Sequence, residues 1–451
     1  MTAGTPSSAS GLGLIEAAHD IAAGLIKSED LVRDCLDRIE AHEDAIQAWQ
    51  YLNADNALSE ARSRDDMRAS GRPIGRLHGV PVGIKDIMDT AFIPTERGTP
   101  IYEGRVPKKD AVVVERLRSA GAVIMGKTVT TEFAVMHPGK TRNPFDPKRT
   151  PGGSSSGSAA AVASYMVPGA LGTQTNGSMI RPASHCGVVG FKPTFGLIPR
   201  TGILMLSKLL DTVGVFGRSV EDAALLAEVL MGADVGDSDT GHLAAVPPLS
   251  LIANQDPTMP PRLAFARTPV WDQTEADTRE AFDELCAALA DAIVDMPIPE
   301  DCSHAVEQHR LIMNADLAHY LRREFETHGD RISDTLKSQI EEGRTILAMD
   351  YARAVSFKEA LTEAVEEMFE EVDAIITPAS TGEAPLNPET GTGNPVFCTL
   401  WQFCGLPSVS LPLLQGTNGL PVGVQVVGRR GDDGRLLRTA NWIMKTLQEE
   451  E

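Results

Sequence analysis

The sequence PGGSSSGSAAAVAS at residues 151–164 decides how the rest of this chain is interpreted. Its first half consists of Pro, Gly and Ser, which favour backbone shaped by turns, and its second half of Ala and Val, which can continue as a helix. The ten residues before it are also rich in Asn, Pro and Thr. The stretch therefore predicts a serine-rich loop that leads into a helix of small residues.

Short apolar runs alternate with helical patterns on either side of this loop. LHGVPVGIKD at residues 77–86 is a β-branched run interrupted by Gly and Pro, which suits a buried strand or its exit loop. Residues 111–119 have a helical pattern and residues 122–125 a strand pattern. Closer to the N-terminus, Leu31, Cys35 and Ile39 recur every four positions, which predicts a helix with Ser28 as its N-cap. This alternation favours an α/β sheet with crossover helices.

The pattern of apolar and charged residues changes twice in the second half of the chain. Residues 274–372 are mostly helical in pattern and strongly charged, which predicts a helical insertion that shapes the substrate entrance, and short apolar runs return from residue 374. We predict one domain over residues 1–451. Its parts are N-terminal helices at about 14–50, a core at 77–230, a helical insertion at about 274–372 and a C-terminal part at 373–451 that rejoins the sheet.

The charge balance bears on possible partners. Lys plus Arg number 41 against 62 Asp plus Glu, a formal charge of −21 that repels phosphate backbones and anionic lipid. No secretory signal is visible, no stretch reaches the ~18–20 apolar residues of a membrane span, and the six cysteines form no CxxC pair. We therefore expect reduced thiols, a cytoplasmic location, and neither nucleic acid nor membrane as a partner.

Residues 121–128, GAVIMGKT, formally match the phosphate-binding pattern GxxxxGK[ST]. That loop needs flexible backbone that wraps the phosphates, whereas the interior here is the apolar AVIM. The segment is therefore predicted to be a buried strand and not a nucleotide site.

Residues 153–157, GSSSG, match the GxSxG turn that carries the nucleophile of α/β-hydrolases, with Ser155 at its centre. That turn must follow a strand directly, but a loop precedes it here. His185 and His137 are the histidines nearest to it in sequence. A Ser–His–Asp esterase stays open as an alternative that histidine substitution would test.

Three segments together resemble the amidase signature family: GIKD around Lys85, the run at 151–164, and GTQTNGSMIRPASHCGVVGFKPT at 172–194. GAVIMGKT and the segments LDTVGVFGRSVEDAALL (210–226) and GLPVGVQVVG (419–428) also resemble family blocks. The resemblance implies a large mixed β-sheet flanked by helices, and hydrolysis of a C–N acyl bond without a metal or organic cofactor.

Carried over residue by residue, the resemblance implies that Ser178 is the nucleophile, Ser154 the bridging serine and Lys85 the base. It also implies a cis peptide bond between Gly153 and Ser154. A lysine can act as a base only when it is neutral, and the apolar residues around Lys85 would favour that state by desolvation. Ser154 would pass the proton of Ser178 to Lys85, and the reverse transfer would protonate the leaving nitrogen.

The loop before the nucleophile offers donors for the oxyanion of a tetrahedral intermediate. These are the backbone N–H groups of Thr175, Asn176, Gly177 and Ser178. Most relatives have glycine at the position of Asn176, and Asn tolerates the left-handed backbone conformation better than other non-glycine residues. The hole is therefore expected to survive this substitution.

Three residues are candidates for contact with the substrate. Arg181, in the spacing GSMIRPA, resembles malonamidase-type members in which the arginine pairs with a substrate carboxylate. Gly153 and Trp401 are further candidates, and residues 204–208 and Phe403 are candidates for the pocket wall.

The predicted function is an amidohydrolase that forms an acyl-enzyme with a small amide, an aryl carbamate (urethane) or an ester, because relatives include urethanases. We expect the chain to assemble as a homodimer. Two alternatives stay open: the amidase subunit of a tRNA-dependent amidotransferase, and a catalytically silent binding protein.

Overall fold

The computed structural model describes residues 8–241, 245–289 and 291–449. In these ranges the strands are β1 (Trp49–Leu52), β2 (Pro81–Lys85), β3 (Val123–Thr128), β4 (Gly169–Gln174), β5 (Val189–Lys192), β6 (Thr212–Gly217), β7 (Leu263–Phe265), β8 (Ile293–Asp295), β9 (Ala374–Pro378), β10 (Ser408–Gln415) and β11 (Pro421–Val427). The α-helices are α1 (Leu14–Ala23), α2 (Ser28–Ile46), α3 (Ala54–Ala69), α4 (Val112–Ser119), α5 (Ser156–Ala163), α6 (Ile180–Cys186), α7 (Val220–Leu230), α8 (Leu249–Ala253), α9 (Ala276–Ala288), α10 (Ala305–Tyr320), α11 (Arg322–His328), α12 (Asp334–Thr345), α13 (Ala348–Glu367), α14 (Val396–Phe403) and α15 (Asp433–Glu449).

The strands form one mixed sheet in the order β1-β3-β2-β4-β6-β5-β10-β11-β9-β7-β8. β2 runs parallel to β3 and β4, and β7 runs parallel to β8 and β9. The other neighbouring strands are antiparallel. Strands from both halves of the chain therefore share one sheet, and the predicted α/β fold with a large mixed central sheet is confirmed.

The segment at 274–372 contains the helices α9 to α13, and it also contains the short strand β8. β8 pairs with β7 at the edge of the sheet, with α9 as the connection between them. The first part of this segment therefore belongs to the sheet layer, and only the part after β8 lies outside it. A strand of three residues is too short to show an alternating pattern in the sequence.

The amphipathic pattern near the N-terminus forms α2, and Leu31, Cys35 and Ile39 are buried as predicted. The expectation that Ser28 caps this helix is wrong. Ser28 is its first helical residue, and its hydroxyl donates to the Gly79 carbonyl at 2.6 Å. The carboxylate of Asp65 on α3 accepts from the backbone N–H groups of Ser28 and Glu29 at 2.8 and 3.0 Å. A residue distant in sequence therefore satisfies the free donors of this helix end.

Two glycines allow the serine-rich helix α5 to lie close to the sheet. A Cβ at Gly157 would be 2.4 Å from the Ala48 carbonyl oxygen, and one at Gly172 on β4 would be 2.7 Å from Ser155 Oγ. Any larger residue would push α5 outward. β2 and β4 are parallel neighbours, so their carboxyl ends lie side by side under this helix. Loops that leave such ends converge at one edge of the sheet.

All six cysteines are free thiols, as expected. No helix in the described ranges is both long enough and apolar enough to cross a bilayer.

Candidate active site

Lys85 is the last residue of β2 and is completely buried. Its Nζ lies within hydrogen-bond distance of three hydroxyls, Ser154 Oγ at 2.8 Å, Ser155 Oγ at 3.0 Å and Thr173 Oγ1 at 2.8 Å. Burial lowers the pKa of Lys85 well below 10.5, and the negative charge of Asp211 opposes this shift in part. The site therefore favours a neutral amine surrounded by hydroxyl groups.

The hydrogen bonds of Ser155 fix its direction toward this amine. Its hydroxyl donates to the Thr173 carbonyl at 3.1 Å and accepts from the Thr173 backbone N–H at 3.2 Å. Because its one hydrogen is used in this way, Ser155 can only accept from Lys85. A neutral amine has two hydrogens and one lone pair, so this bond uses one hydrogen and helps to orient the lone pair.

Ser178 lies in the loop between β4 and α6 and is partly buried. Its Oγ accepts a hydrogen bond from the backbone N–H of Ser154 at 3.1 Å. Ser154 therefore contacts both partners, Ser178 through its backbone nitrogen and Lys85 through its hydroxyl. A direct hydrogen bond between the two serine hydroxyls is not formed in the described part of the chain.

The expected cis bond between Gly153 and Ser154 is wrong for this structure, because no peptide bond in the described ranges is cis. The chain turns here instead through two consecutive glycines with positive φ, +83° at Gly152 and +53° at Gly153. Such angles favour glycine, and they supply the sharp change of direction before α5.

The loop after β4 presents unused backbone donors. The N–H groups of Asn176, Gly177 and Ser178 donate to no protein group in the part of the chain that the structure describes. A Cβ at Gly177 would lie 2.8 Å from Cβ of Pro395, so glycine is needed there for close packing. The loop thus has the free donors that an oxyanion requires.

Three hydrogen bonds hold this loop in place. Thr175 Oγ1 donates to Asp211 Oδ1 at 2.7 Å, and the Thr175 carbonyl faces His309 Nε2 at 2.9 Å. Asn176 Oδ1 accepts from Thr399 Oγ1 at 2.8 Å. Asn176 has a negative φ, so this position does not demand the left-handed conformation. Asparagine is therefore accommodated without backbone strain.

A cavity of about 230 Å³ opens beside Ser178. The loop after β4 contributes Asn176 and Gly177 to its wall, and α6 contributes Arg181. The helical segment contributes His309 and Asn314 from α10 and Gln339 from α12. No motif in the sequence marks these residues of α10 and α12. Only the packing of the two helices over the loop brings them to the site.

Two arginines line this cavity: Arg181, which is almost completely buried, and Arg310, which is exposed and lies 3.7 Å from a carboxylate oxygen of Glu342. Arg181 is the one considered as a substrate contact. Its Nη1 donates to the Gly393 carbonyl at 2.9 Å and its Nη2 to Thr392 Oγ1 at 3.1 Å. It forms no ion pair with a carboxylate in the described ranges. Burial lowers the pKa of Arg181 to about 10, which still leaves it charged at neutral pH.

Trp401 and Gly153, the further candidates for substrate contact, do not line this cavity. Trp401 is 1% exposed and does not line the cavity. Thr399 of the same helix does line it, and two residues farther along an α-helix turn the side chain by about 200°. Gly153 also lies outside the wall, and a Cβ there would lie 2.8 Å from Cδ of Pro182 and 3.0 Å from Cα of Ser178. It packs behind the serine instead.

The predicted pocket-wall residues lie elsewhere as well. Leu204, Met205 and Leu206 line a separate void of about 10 Å³, next to Thr173. Phe403 is buried, and its ring packs against that of His309 with centroids 6.4 Å apart. Phe403 therefore packs against His309, which lines the cavity, but does not line the cavity itself.

The motifs that suggested other enzymes have structural explanations. GAVIMGKT forms the buried strand β3, as predicted, and Lys127 donates to Met88 O, Thr90 Oγ1 and Thr95 Oγ1. Ser155 makes its hydrogen bonds with Lys85, Thr173 and Met179 and with no histidine in the described ranges. Burial lowers the pKa of His185 to about 3, and His137 is exposed. The geometry does not favour a Ser–His–Asp site.

The mixed sheet, the buried lysine among hydroxyl groups and the free N–H groups beside Ser178 define an α/β enzyme that acts on an acyl carbon. The chain belongs to the amidase signature family, because the family model Amidase matches residues 30–437. This family acts on C–N bonds.

Individual relatives match the chain over nearly its whole length. A glutamyl-tRNA(Gln) amidotransferase subunit of Natranaerobius thermophilus is 34% identical, over 97% of this chain and 96% of the relative. Among solved structures, native peptide amidase from Stenotrophomonas maltophilia has a TM-score of 0.85 and 29% identity, covering 97% of each chain. A chain of a vestigial protein complex described as revealing the origins of an s-triazine catabolic enzyme has a TM-score of 0.89 and 27% identity, covering 97% of this chain and 98% of that one.

Proposed function

We propose that the protein hydrolyses a carboxamide through an acyl-enzyme on Ser178. Ser178 Oγ forms a bond to the acyl carbon while its proton passes through Ser154 to the neutral amine of Lys85. The C–N bond then breaks as the same proton is delivered to the leaving nitrogen, and water repeats the sequence to release the acid. The observation that carries this proposal is the contact of Ser154 with both Lys85 and Ser178.

The proton transfer requires the hydroxyls of Ser154 and Ser178 to meet. Rotation about the Cα–Cβ bond of either serine changes the direction of its hydroxyl, and catalytic hydrogen bonds commonly tighten only when substrate is bound. Asn176, Gly177 and Ser178 would donate their free N–H groups to the oxyanion.

The polar groups of the cavity favour a small substrate with both charge and N–H donors. Arg181 has no carboxylate partner in the described ranges, while Asn314 Oδ1 and Gln339 Oε1 are buried without a hydrogen-bond partner there. A Cβ at Gly343 would lie 1.9 Å from the Asn314 carbonyl oxygen, so α12 approaches α10 closely there and carries Gln339, one turn earlier, to the same wall. A carboxylate would satisfy Arg181, and an amine or amide would satisfy the two oxygens.

Glutamine combines these groups, and the comparisons favour it. Relatives of 33–35% identity carry the name of a glutamyl-tRNA(Gln) amidotransferase subunit. They support the amidotransferase alternative better than a freestanding hydrolase. This candidate goes against the expectation of no nucleic acid, because its reaction involves a tRNA. The formal charge of −21 on this chain repels phosphate, so other subunits would hold the tRNA.

A freestanding amidase is the second candidate, because peptide amidase shares the fold at 29% identity. Carbamate hydrolysis would use the same chemistry and belongs to this second candidate. The two candidates differ in the acyl group and in whether partner subunits are needed.

A substrate screen tests both candidates. Release of ammonia or amine is measured from glutamine, dicarboxylic half-amides, anilides, peptide amides and aryl carbamates, with the chain alone and with tRNA plus the partner subunits of an amidotransferase. Glutamine hydrolysis that rises when tRNA and these partners are present supports the first candidate. Turnover of peptide amides or carbamates by the chain alone supports the second, and no C–N hydrolysis under any condition contradicts both.

Two neighbouring serines provide a matched pair of variants. Ser154→Ala removes the proposed proton carrier and is expected to lower kcat by about 10²–10⁴-fold. Ser155→Ala removes one hydrogen bond that orients Lys85, and a loss of about tenfold is expected. Steady-state kinetics on the best substrate decide the order. A Ser155→Ala variant that is inactive while Ser154→Ala retains activity would contradict these roles.

Arg181→Gln tests whether the cavity recognises a carboxylate. Because the variant loses the positive charge that would pair with a substrate carboxylate, kcat/KM for glutamine and half-amides is expected to fall by about 10²-fold. Neutral aliphatic amides are the control, and their kcat/KM should change by less than about threefold. An equal loss for both substrate types would indicate a structural role for Arg181.

A further inference from the structure

The peptide unit between Thr175 and Asn176, in the loop after β4, is held by a hydrogen bond from helix α10. Its carbonyl oxygen lies 2.9 Å from Nε2 of His309, a residue of α10 that also lines the cavity. Its N–H belongs to Asn176 and donates to no protein group in the described ranges. In a trans peptide the C=O and N–H groups point in opposite directions. The bond to His309 therefore fixes the direction of a free oxyanion donor.

We propose that His309 is a positioning residue for the oxyanion hole, acting through the Thr175 carbonyl. This inference rests on the proposed role of Ser178. A reversal of the Thr175–Asn176 peptide would turn a carbonyl oxygen toward the site where negative charge develops, and the bond from His309 opposes that reversal.

The protonation state of His309 suits this role. The side chain is almost completely buried, and burial lowers its pKa to about 4, so the ring is neutral near pH 7. A neutral imidazole carries its hydrogen on one nitrogen, and a carbonyl can only accept. Nε2 is therefore the protonated nitrogen, and it donates to Thr175 rather than serving as a base.

The surroundings of His309 hold its ring in place. The ring packs edge-on against Phe403 of α14, and the loop is fixed again by the bonds from Thr175 to Asp211 and from Thr399 to Asn176. His309 differs from these other contacts because it lies on α10 and binds a backbone group, the carbonyl of Thr175. The helical segment thereby contributes to catalysis as well as to the cavity wall.

Conservative variants separate the hydrogen bond from general packing. His309→Leu removes the donor, and kcat is expected to fall by on the order of ten- to hundredfold with KM nearly unchanged. His309→Gln can place an amide N–H near the position of Nε2 and should restore kcat to within about fivefold. His309→Asn, whose amide is too short to reach, is the matched control and should resemble His309→Leu.

Inhibition by phenylboronic acid, which forms a tetrahedral anionic adduct with a serine hydroxyl, gives a second measurement. The inhibition constant is expected to rise in His309→Leu by about the same factor as kcat falls, and to recover in His309→Gln. Full kcat in a folded His309→Leu variant would overturn the proposal, as would a His309→Gln variant no better than His309→Asn. Activity that survives in Ser178→Ala would instead contradict the proposed nucleophile, so the two failures are distinct.

Discussion

Replacing Ser178 with Ala is expected to lower turnover by about 10⁶-fold, the size of loss known for the nucleophile of another serine hydrolase. The remaining N–H donors and the cavity can still bind substrate, but no oxygen is left to form the acyl-enzyme. The loss should appear in kcat with little change in substrate affinity. Single-turnover kinetics on the best substrate of the screen would measure it.

The same variant should fold normally, because Ser178 is partly buried and its hydroxyl accepts one backbone hydrogen bond. Its thermal unfolding temperature is the control. Labelling with a fluorophosphonate provides an independent readout, with the adduct expected on Ser178 in the unmodified protein and absent in Ser178→Ala. An adduct on Ser155, or turnover near the original level in the variant, would contradict the nucleophile assignment.

Replacing Lys85 with Met is expected to lower kcat by about 10⁴-fold, because both serines lose their only proposed base. In the unmodified protein, kcat/KM should rise with pH as Lys85 loses its proton. Its lowered pKa places that rise below the pH of 10.5 at which an ordinary lysine titrates. The Lys85→Met variant should lack this rise, and a pH profile of kcat/KM for both proteins is the measurement.

The Lys85→Met substitution should lower activity without lowering the stability of the fold. The folded chain releases the proton of Lys85 at a lower pH than the unfolded chain, so this residue makes folding less favourable as pH falls below 10.5. The free energy of unfolding of Lys85→Met is therefore expected to equal or exceed that of the unmodified protein, with the larger gain at lower pH. Urea unfolding at two pH values would show this.

Lys127→Met provides the matched control. Lys127 is equally buried, but the nearby Asp86 opposes the lowering of its pKa, which falls only to about 8, so Lys127 keeps its charge at neutral pH. Its removal would leave the buried Asp86 without an opposite charge and would also remove the bonds to Met88, Thr90 and Thr95. This variant should lose stability and keep its kcat in the folded fraction. Equal activity losses in the two lysine variants would indicate that Lys85→Met acts through folding and not through catalysis.

The sequence by itself determined the class of fold and the local pieces of the site. Patterns of period four and short apolar runs predicted α2 and β3 correctly, because burial on one face or on both faces of an element is a local property of its residues. The segments around Lys85, Ser154 and Ser178 were identifiable as motifs for a similar reason. Their glycines and serines meet local demands for turns and close packing.

Tertiary structure alone decided which distant residues complete these pieces. Asp65 caps α2 in place of Ser28, and His309, Asn314 and Gln339 reach the cavity from helices that carry no motif. Thr399 and not Trp401 lines the cavity, because the face of α14 that meets the cavity depends on how the helix docks. Contacts between segments far apart in sequence follow from packing and from the direction of each helix, and these are properties that a single segment does not contain.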